Sequence, residues 1–337
     1  MSVKANGHTS PFLVLDPAFQ EIIGPNPTLE LLSENHEYPF AHEAGIFNPT
    51  SNELFITSNQ HPCKTTGSKQ IKILRVKLEP KPSSCSCSEI ETENVPMANG
   101  GVSYQDGMLF CAQGTLTQPG GIAYMSAQPP HRSHFLVQTH NGKPFNSPND
   151  VVVHSNGSIW FTDPVYGHEQ GIRPPPELPN QVYCFEPESG EVRVVADGFG
   201  RPNGICFSPD EKVVYITDTD RIHGDGSVDP SRPATIHAFD VVDKAGQLCL
   251  VNRRLFAVAD CGWPDGIKCD IKGNVYSGCG DGVHVWSPTG KLLGKILVKG
   301  GVANFCFGRN GEVFLLNEHK LWRAQLSKST KGALLRI

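Results

Sequence analysis

Residues 148–164 read PNDVVVHSNGSIWFTDP, and residues 202–219 read PNGICFSPDEKVVYITDT. Each is a polar entry, a short apolar run, a Pro/Asn/Asp/Gly turn and a second apolar run, the pattern of two antiparallel strands joined by a tight turn. The pattern recurs as HEAGIFNPTSNELFITSN from His42, ANGGVSYQDGMLFCAQG from Ala98, PDGIKCDIKGNVYSGCG from Pro264 and VANFCFGRNGEVFLLN from Val302. Between the copies lie further β-like runs, such as IKILRVKLE (71–79), QVYCFEP (181–187), EVRVVAD (191–197) and TIHAFDVV (235–242). They supply about four strands per unit. Four-stranded units cannot bury their faces alone, and six of them predict an all-β fold, a six-bladed β-propeller with a central channel. A β-sandwich would leave many of these strands unplaced. One domain is expected over 1–337, with 1–20 as an N-terminal extension or ring-closing strand and LWRAQLS (321–327) as the other source of closure.

Composition narrows the function. Lys plus Arg number 29 and Asp plus Glu 34, a formal charge of −5, which excludes a basic nucleic-acid footprint. No apolar run approaches a membrane span, and the amino end, MSVKANGHTSPFLVLDPAF, lacks the basic start and apolar core of a secretory leader. Eleven cysteines cannot all pair, and most sit in apolar runs where Cys serves as a small core residue. A thiol-rich cytoplasmic protein is expected. Cys85 and Cys87, in KPSSCSCSEIE, are expected in a polar surface loop, since no other zinc-type spacing accompanies them. Catalytic serine elbows and phosphate-binding Gly-rich loops of the Walker type are absent.

Aligned on the turn, the six copies place Glu43, Asn99, Asn149, Asn203, Asp265 and Ala303 at one register position. Asn or Asp before Gly is ordinary turn chemistry in any single copy. The same register in several blades, together with Glu43, argues for a shared site, because the first strand of each propeller blade lines the channel. Two carboxylates and two or three amide oxygens gathered there would repel one another, and one carboxylate would take up a proton unless a cation intervened. Carboxylate and amide oxygens suit Ca²⁺ best, with Mn²⁺, Mg²⁺ or Zn²⁺ as alternatives.

Three long segments, NGKPFNSPNDVVVHSNGSIWFTDPVYG (141–167), ELPNQVYCFEPESGEVRVVADGFGRPNGICFSPDEKVVYITDTD (177–220) and GWPDGIKCDIKGNVYSGCGDGVHVWSPTGKLLGKI (262–296), carry a family resemblance. The chain resembles the gluconolactonase/regucalcin family of six-bladed propeller lactonases over about residues 38–325, its microbial gluconolactonase branch above all. The resemblance implies a divalent metal, usually calcium, held by Glu43, Asn203 and Asp265, with Asn149 a further ligand or a substrate contact. It implies hydrolysis of a small-molecule lactone, the ion polarising the carbonyl and activating water. Asp265 is then the expected base, with Asn149 and Asp163 as further catalytic candidates and Asp218 as another nearby carboxylate.

Around the mouth, His42, Asn99, Gln113, Ser147, Tyr166 and Arg201 are expected to contact substrate, with 164–180 and 220–233 as walls. Ser147 stands where animal regucalcin has an Arg, so sugar-acid hydroxyls need not be gripped in the same way. The alternatives to a lactonase are an organophosphate hydrolase, a natural-product ring-opening or rearranging enzyme in the same channel, and a non-catalytic binding propeller. Neither a nucleic-acid nor a membrane partner is expected, and the oligomeric state is open.

Overall fold

The computed structural model describes residues 10–79 and 85–334. Residues 1–9 of the N-terminal segment, and 81–84 beside the Cys85/Cys87 pair, lie outside the described residues.

Six antiparallel sheets form the blades of a β-propeller. Blade one comprises Glu43–Asn48, Glu53–Thr57, Ile73–Leu78 and Cys85–Ile90, and blade two Ala98–Tyr104, Gly107–Ala112, Gly121–Ser126 and Ser133–Val137. Blade three comprises Val151–Val153, Ile159–Asp163, Gln181–Glu186 and Glu191–Ala196, and blade four Pro202–Phe207, Val213–Asp218, Thr235–Lys244 and Gln247–Val258. Blade five holds Ile267–Cys269, Val275–Cys279, Gly282–Trp286 and Leu292–Leu297, and blade six Asn304–Phe307, Glu312–Asn317 and Lys320–Gln325. The first strands of successive blades pack side by side, and the last of them meets the first.

The strand that joins the two ends of the ring is Thr28–Glu34, which pairs with Lys320–Gln325 as the outermost strand of blade six. It lies beyond the 1–20 segment, and LWRAQ is its partner. Phe12–Val14 adds a fifth strand to blade five against Leu292–Leu297. The helix Pro17–Ile23 connects the two, capped by the Asp16 carboxylate and burying Phe19, Ile22 and Ile23. Among the described residues no helix is long and apolar enough to cross a membrane.

Burial follows position in the blade. The second strands, such as Ile159–Asp163, are covered on both faces and read as continuous apolar runs, whereas the outer strand Glu191–Ala196 faces solvent in part. Cys85–Ile90 is not a loop: it is the outer strand of blade one, Cys85 opposite Leu78 and Cys87 opposite Val76. Its polar residues face water on an edge strand, which is why composition alone reads as a loop. All eleven cysteines are free thiols, six of them buried as apolar side chains.

The glycines after the register position serve blade packing. A Cβ on Gly204 would lie 2.5 Å from the Asp265 carbonyl oxygen, and one on Gly266 would lie 2.4 Å from the Asn304 side chain. Only glycine lets neighbouring blades approach this closely at the channel.

Candidate active site

Because the strands of each blade alternate in direction, the start of every first strand meets the end of its second strand at one face of the ring, as Glu43 does with Thr57 and Pro202 with Asp218. The loops that leave the second strands therefore surround the channel mouth on that face. A cavity of about 340 Å³ opens there.

The register residues Glu43, Asn99, Asn149, Asn203, Asp265 and Ala303 all line this cavity. Their backbones are fixed by the blades around them. Thr57, Thr162 and Thr217, each at or next to the end of a second strand, donate hydroxyl hydrogen bonds to the carbonyls of Asn99, Asn203 and Asp265 in the following blade, at 3.1, 2.6 and 3.0 Å. One blade's second strand thus positions the next blade's channel residue.

The side chains are left open. Asn149 Oδ1, Asn203 Oδ1 and Asp265 Oδ1 are shut away from solvent with no hydrogen-bond partner, a costly arrangement for polar oxygens unless a ligand completes it. Glu43 Oε2 accepts from Asn304 Nδ2 at 2.6 Å. Burial pushes the Glu43 carboxyl up to about 7, aided by Asp150 and opposed by His42 and the Asn304 amide. Burial, and then the Glu43 charge, raises Asp265 well above the carboxylate range. Two buried acids and two asparagines with unpartnered amide oxygens, all lining one cavity, fit a hard divalent cation, whose charge would offset the repulsion.

Beside them stands an unanticipated pair. His42 Nδ1 lies 2.7 Å from Glu318 Oε1, while Asn59 Nδ2 donates to Glu318 Oε2 at 3.2 Å. Burial disfavours charge on His42, but Glu318, Glu43 and Asp265 outweigh it and lift the imidazole to about 10. Glu318 sits at a left-handed position (φ 57°) in the hairpin after a second strand. Its register lies outside the repeated motif, so no pattern marked it.

Gln113 and Tyr166 also line the cavity; the Tyr166 hydroxyl is bonded to Thr219 Oγ1 at 2.5 Å. Ser147, Asp163 and Arg201 do not line it. Ser147 Oγ donates to the Pro164 carbonyl at 2.6 Å and accepts from the Gly167 amide at 2.8 Å, so it holds the 164–167 turn. Asp163 is fully buried and accepts the backbone N–H groups of Asn146 and Ser147, each at 2.8 Å; burial lifts its carboxyl to about 7 against those bonds. Asp218 repeats the device on Gly200 and Arg201. Arg201 is buried between Glu169 and Asp220 and ties the short helix Tyr166–Glu169 to the loop after blade four's second strand. The rest of the mouth includes Gln170 and His223, from the 164–180 and 220–233 segments expected as walls, and Gln60 and Trp263, from loops where no repeat guides the eye.

Among the described residues one trio of acidic and imidazole groups, Asp260, Asp281 and His284, brings its ligand atoms within 4.8 Å of one another. The Lys295 ammonium already lies 2.6 Å from Asp260 and 3.0 Å from Asp281. That charge supplies the cation, so the trio reads as a salt-bridge cluster.

Residues 70–315 match the model of the SMP-30/Gluconolactonase/LRE-like region. The chain belongs to this family. A lactonohydrolase of Aspergillus oryzae, oryL, is 28% identical over 86% of this chain and 68% of its own length. The gluconolactonase of Zymomonas mobilis is 30% identical over 68% of this chain, which spans 63% of that protein. A gluconolactonase structure from Xanthomonas campestris superposes with a TM-score of 0.73 at 28% identity, covering 94% of this chain and 95% of that one. A calcium-binding regucalcin from Agrobacterium tumefaciens, 15% identical with a TM-score of 0.63 over 90% of this chain and 95% of its own, shares the fold.

Proposed function

We propose that this family member is a lactonase dependent on a divalent metal, most simply Ca²⁺, that opens a small lactone to its hydroxy acid. One observation carries the reading: the unpartnered oxygens of Asn149, Asn203 and Asp265 belong to residues that share one cavity with the buried Glu43 carboxylate. The lactone-hydrolysing relatives supply the reaction class.

When bound, the ion would supply Lewis-acid polarisation of the lactone carbonyl, with Glu43, Asn149, Asn203 and Asp265 as its protein ligands. Asp265, ionised when it holds the ion and made more basic by burial and the neighbouring Glu43 charge, would accept a proton from the attacking water. Asn149 turns its free amide oxygen toward ligand or water. Collapse of the tetrahedral adduct breaks the acyl C–O bond; His42, kept charged by Glu318, gives a proton to the departing ring oxygen and regains one from Asp265, which restores both groups. The product is the hydroxy acid, with one water consumed. Asn99, Gln113 and Tyr166 line the space the rest of the substrate would fill. Ser147, Asp163 and Arg201 act on the walls.

The test is proton release in weakly buffered solution with a panel of γ- and δ-lactones, on EDTA-stripped protein with Ca²⁺, Mn²⁺, Mg²⁺ or Zn²⁺ restored. Hydrolysis that vanishes on stripping and returns with one ion supports the reading; hydrolysis unaffected by EDTA removes the metal from it.

A further inference from the structure

The loop that follows blade four's second strand contributes Ile222, His223, Gly224 and Gly226 to the cavity mouth. Within it, His223 is held in an unusual way. Arg201 Nη2 lies 3.1 Å from His223 Nδ1. A guanidinium carries hydrogens on every nitrogen and can only donate, so Nδ1 must accept and the imidazole proton must reside on Nε2. Nε2 is itself closed off from solvent and has no partner. A buried N–H donor without an acceptor is as costly as the orphaned oxygens on the channel floor.

The surroundings hold this donor in place. Arg201 is fixed by Glu169, whose Oε1 and Oε2 lie 2.5 and 3.1 Å from its guanidinium nitrogens, and by Asp220. Glu169 Oε2 also accepts the Gly224 amide at 2.7 Å, one residue beyond His223. The ring is therefore set in tautomer and in place by an ion-pair network that also anchors the next-door Gly224 amide. The carbonyl end of a lactone is called to the floor, where Glu43 and Asp265 stand. An N–H donor on the mouth loop is then available to an acceptor elsewhere on the molecule.

Resting on the lactonase reading above, we propose that His223 Nε2–H is a specificity determinant, donating a hydrogen bond to a hydroxyl oxygen on the substrate ring, with Arg201 as the positioning residue that fixes its tautomer. Substrates lacking that hydroxyl leave the donor unsatisfied and are discriminated against, the asymmetry expected of sites built around a buried polar group.

The experiment compares D-glucono-δ-lactone with δ-valerolactone, the same ring with and without hydroxyls, in wild type, His223→Ala and His223→Gln. The Gln amide nitrogen can reproduce an Nε2 donor. The ratio of kcat/KM between the two lactones should fall about tenfold in H223A, the loss of one hydrogen bond, and recover in H223Q. An unchanged ratio in H223A, an equal failure of H223Q, or a wild type that does not favour the hydroxylated ring overturns the proposal. If wild type opens neither lactone, that result bears on the lactonase reading and its wider panel, and calorimetry with the corresponding δ-lactams decides the donor separately. A tenfold fall in their affinity ratio in H223A sustains it, and an unchanged ratio or no binding of either lactam overturns it.

Discussion

The Thr162 hydroxyl donates to the Asn203 carbonyl at 2.6 Å and accepts the Asp150 amide at 3.1 Å, so one side chain stitches blade three to the channel residue of blade four. Both partners are buried. Thr162→Val keeps the shape and removes both bonds, which should cost about 1–3 kcal/mol in urea unfolding. Metal affinity should fall with it, because Asn203 loses its backbone anchor. Wild-type stability would show that the stitch is incidental.

Charge repulsion on the channel floor gives a pH signature. Glu43 is lifted to about 7 from 4.5 by burial, so its contribution to metal-free stability is complete below about pH 4.5 and is lost as pH rises through 7. The melting temperature of stripped protein should therefore fall between pH 5 and 8, and Glu43→Gln should flatten that fall. His42 and Asp163, also raised, act in the same sense, so some slope remains. An identical slope in wild type and E43Q would contradict the burial argument. Added Ca²⁺ should raise the melting temperature of wild type by mass action and leave E43Q unmoved.

Asp163 gives a contrasting expectation. Its two oxygens accept two backbone N–H groups, and Asp163→Asn would set an amide donor against one of them. The expected result is a stability loss of about 1–3 kcal/mol with metal affinity retained. Intact stability with lost turnover would return Asp163 to the list of proton carriers.

The six blades were legible because each repeats one hairpin pattern, and the channel residues were legible because they share its register: Glu43, Asn149, Asn203 and Asp265 line one cavity. Register does not report where a side chain's hydrogen bonds go. Asp163 sits in a strand end that looks catalytic yet serves the backbone, and Arg201 serves an ion-pair network. Glu318 and His223 come from loops unique to their blades, where only three-dimensional closure reveals the partners His42 and Arg201. The Asn-Gly and Asp-Gly pairs resemble turns in sequence because turns and tight blade contacts both demand glycine.

Gly266→Ala tests that second use of glycine. Its Cβ would meet the Asn304 side chain at 2.4 Å, and Asn304 Nδ2 is the donor to Glu43. Displacing it should weaken metal binding about tenfold, in line with the usual cost of disturbing a residue that orients a ligand. Calorimetric affinity equal to wild type would show that Asn304 is free to move.

The most direct measurement follows lactone hydrolysis and bound metal in one titration of stripped protein, with Asp265→Asn alongside. The channel site predicts a rate that rises in proportion to occupancy, saturates at one ion per chain and is absent in D265N. Full hydrolysis before any ion is bound, or a D265N titration that matches wild type, would contradict it.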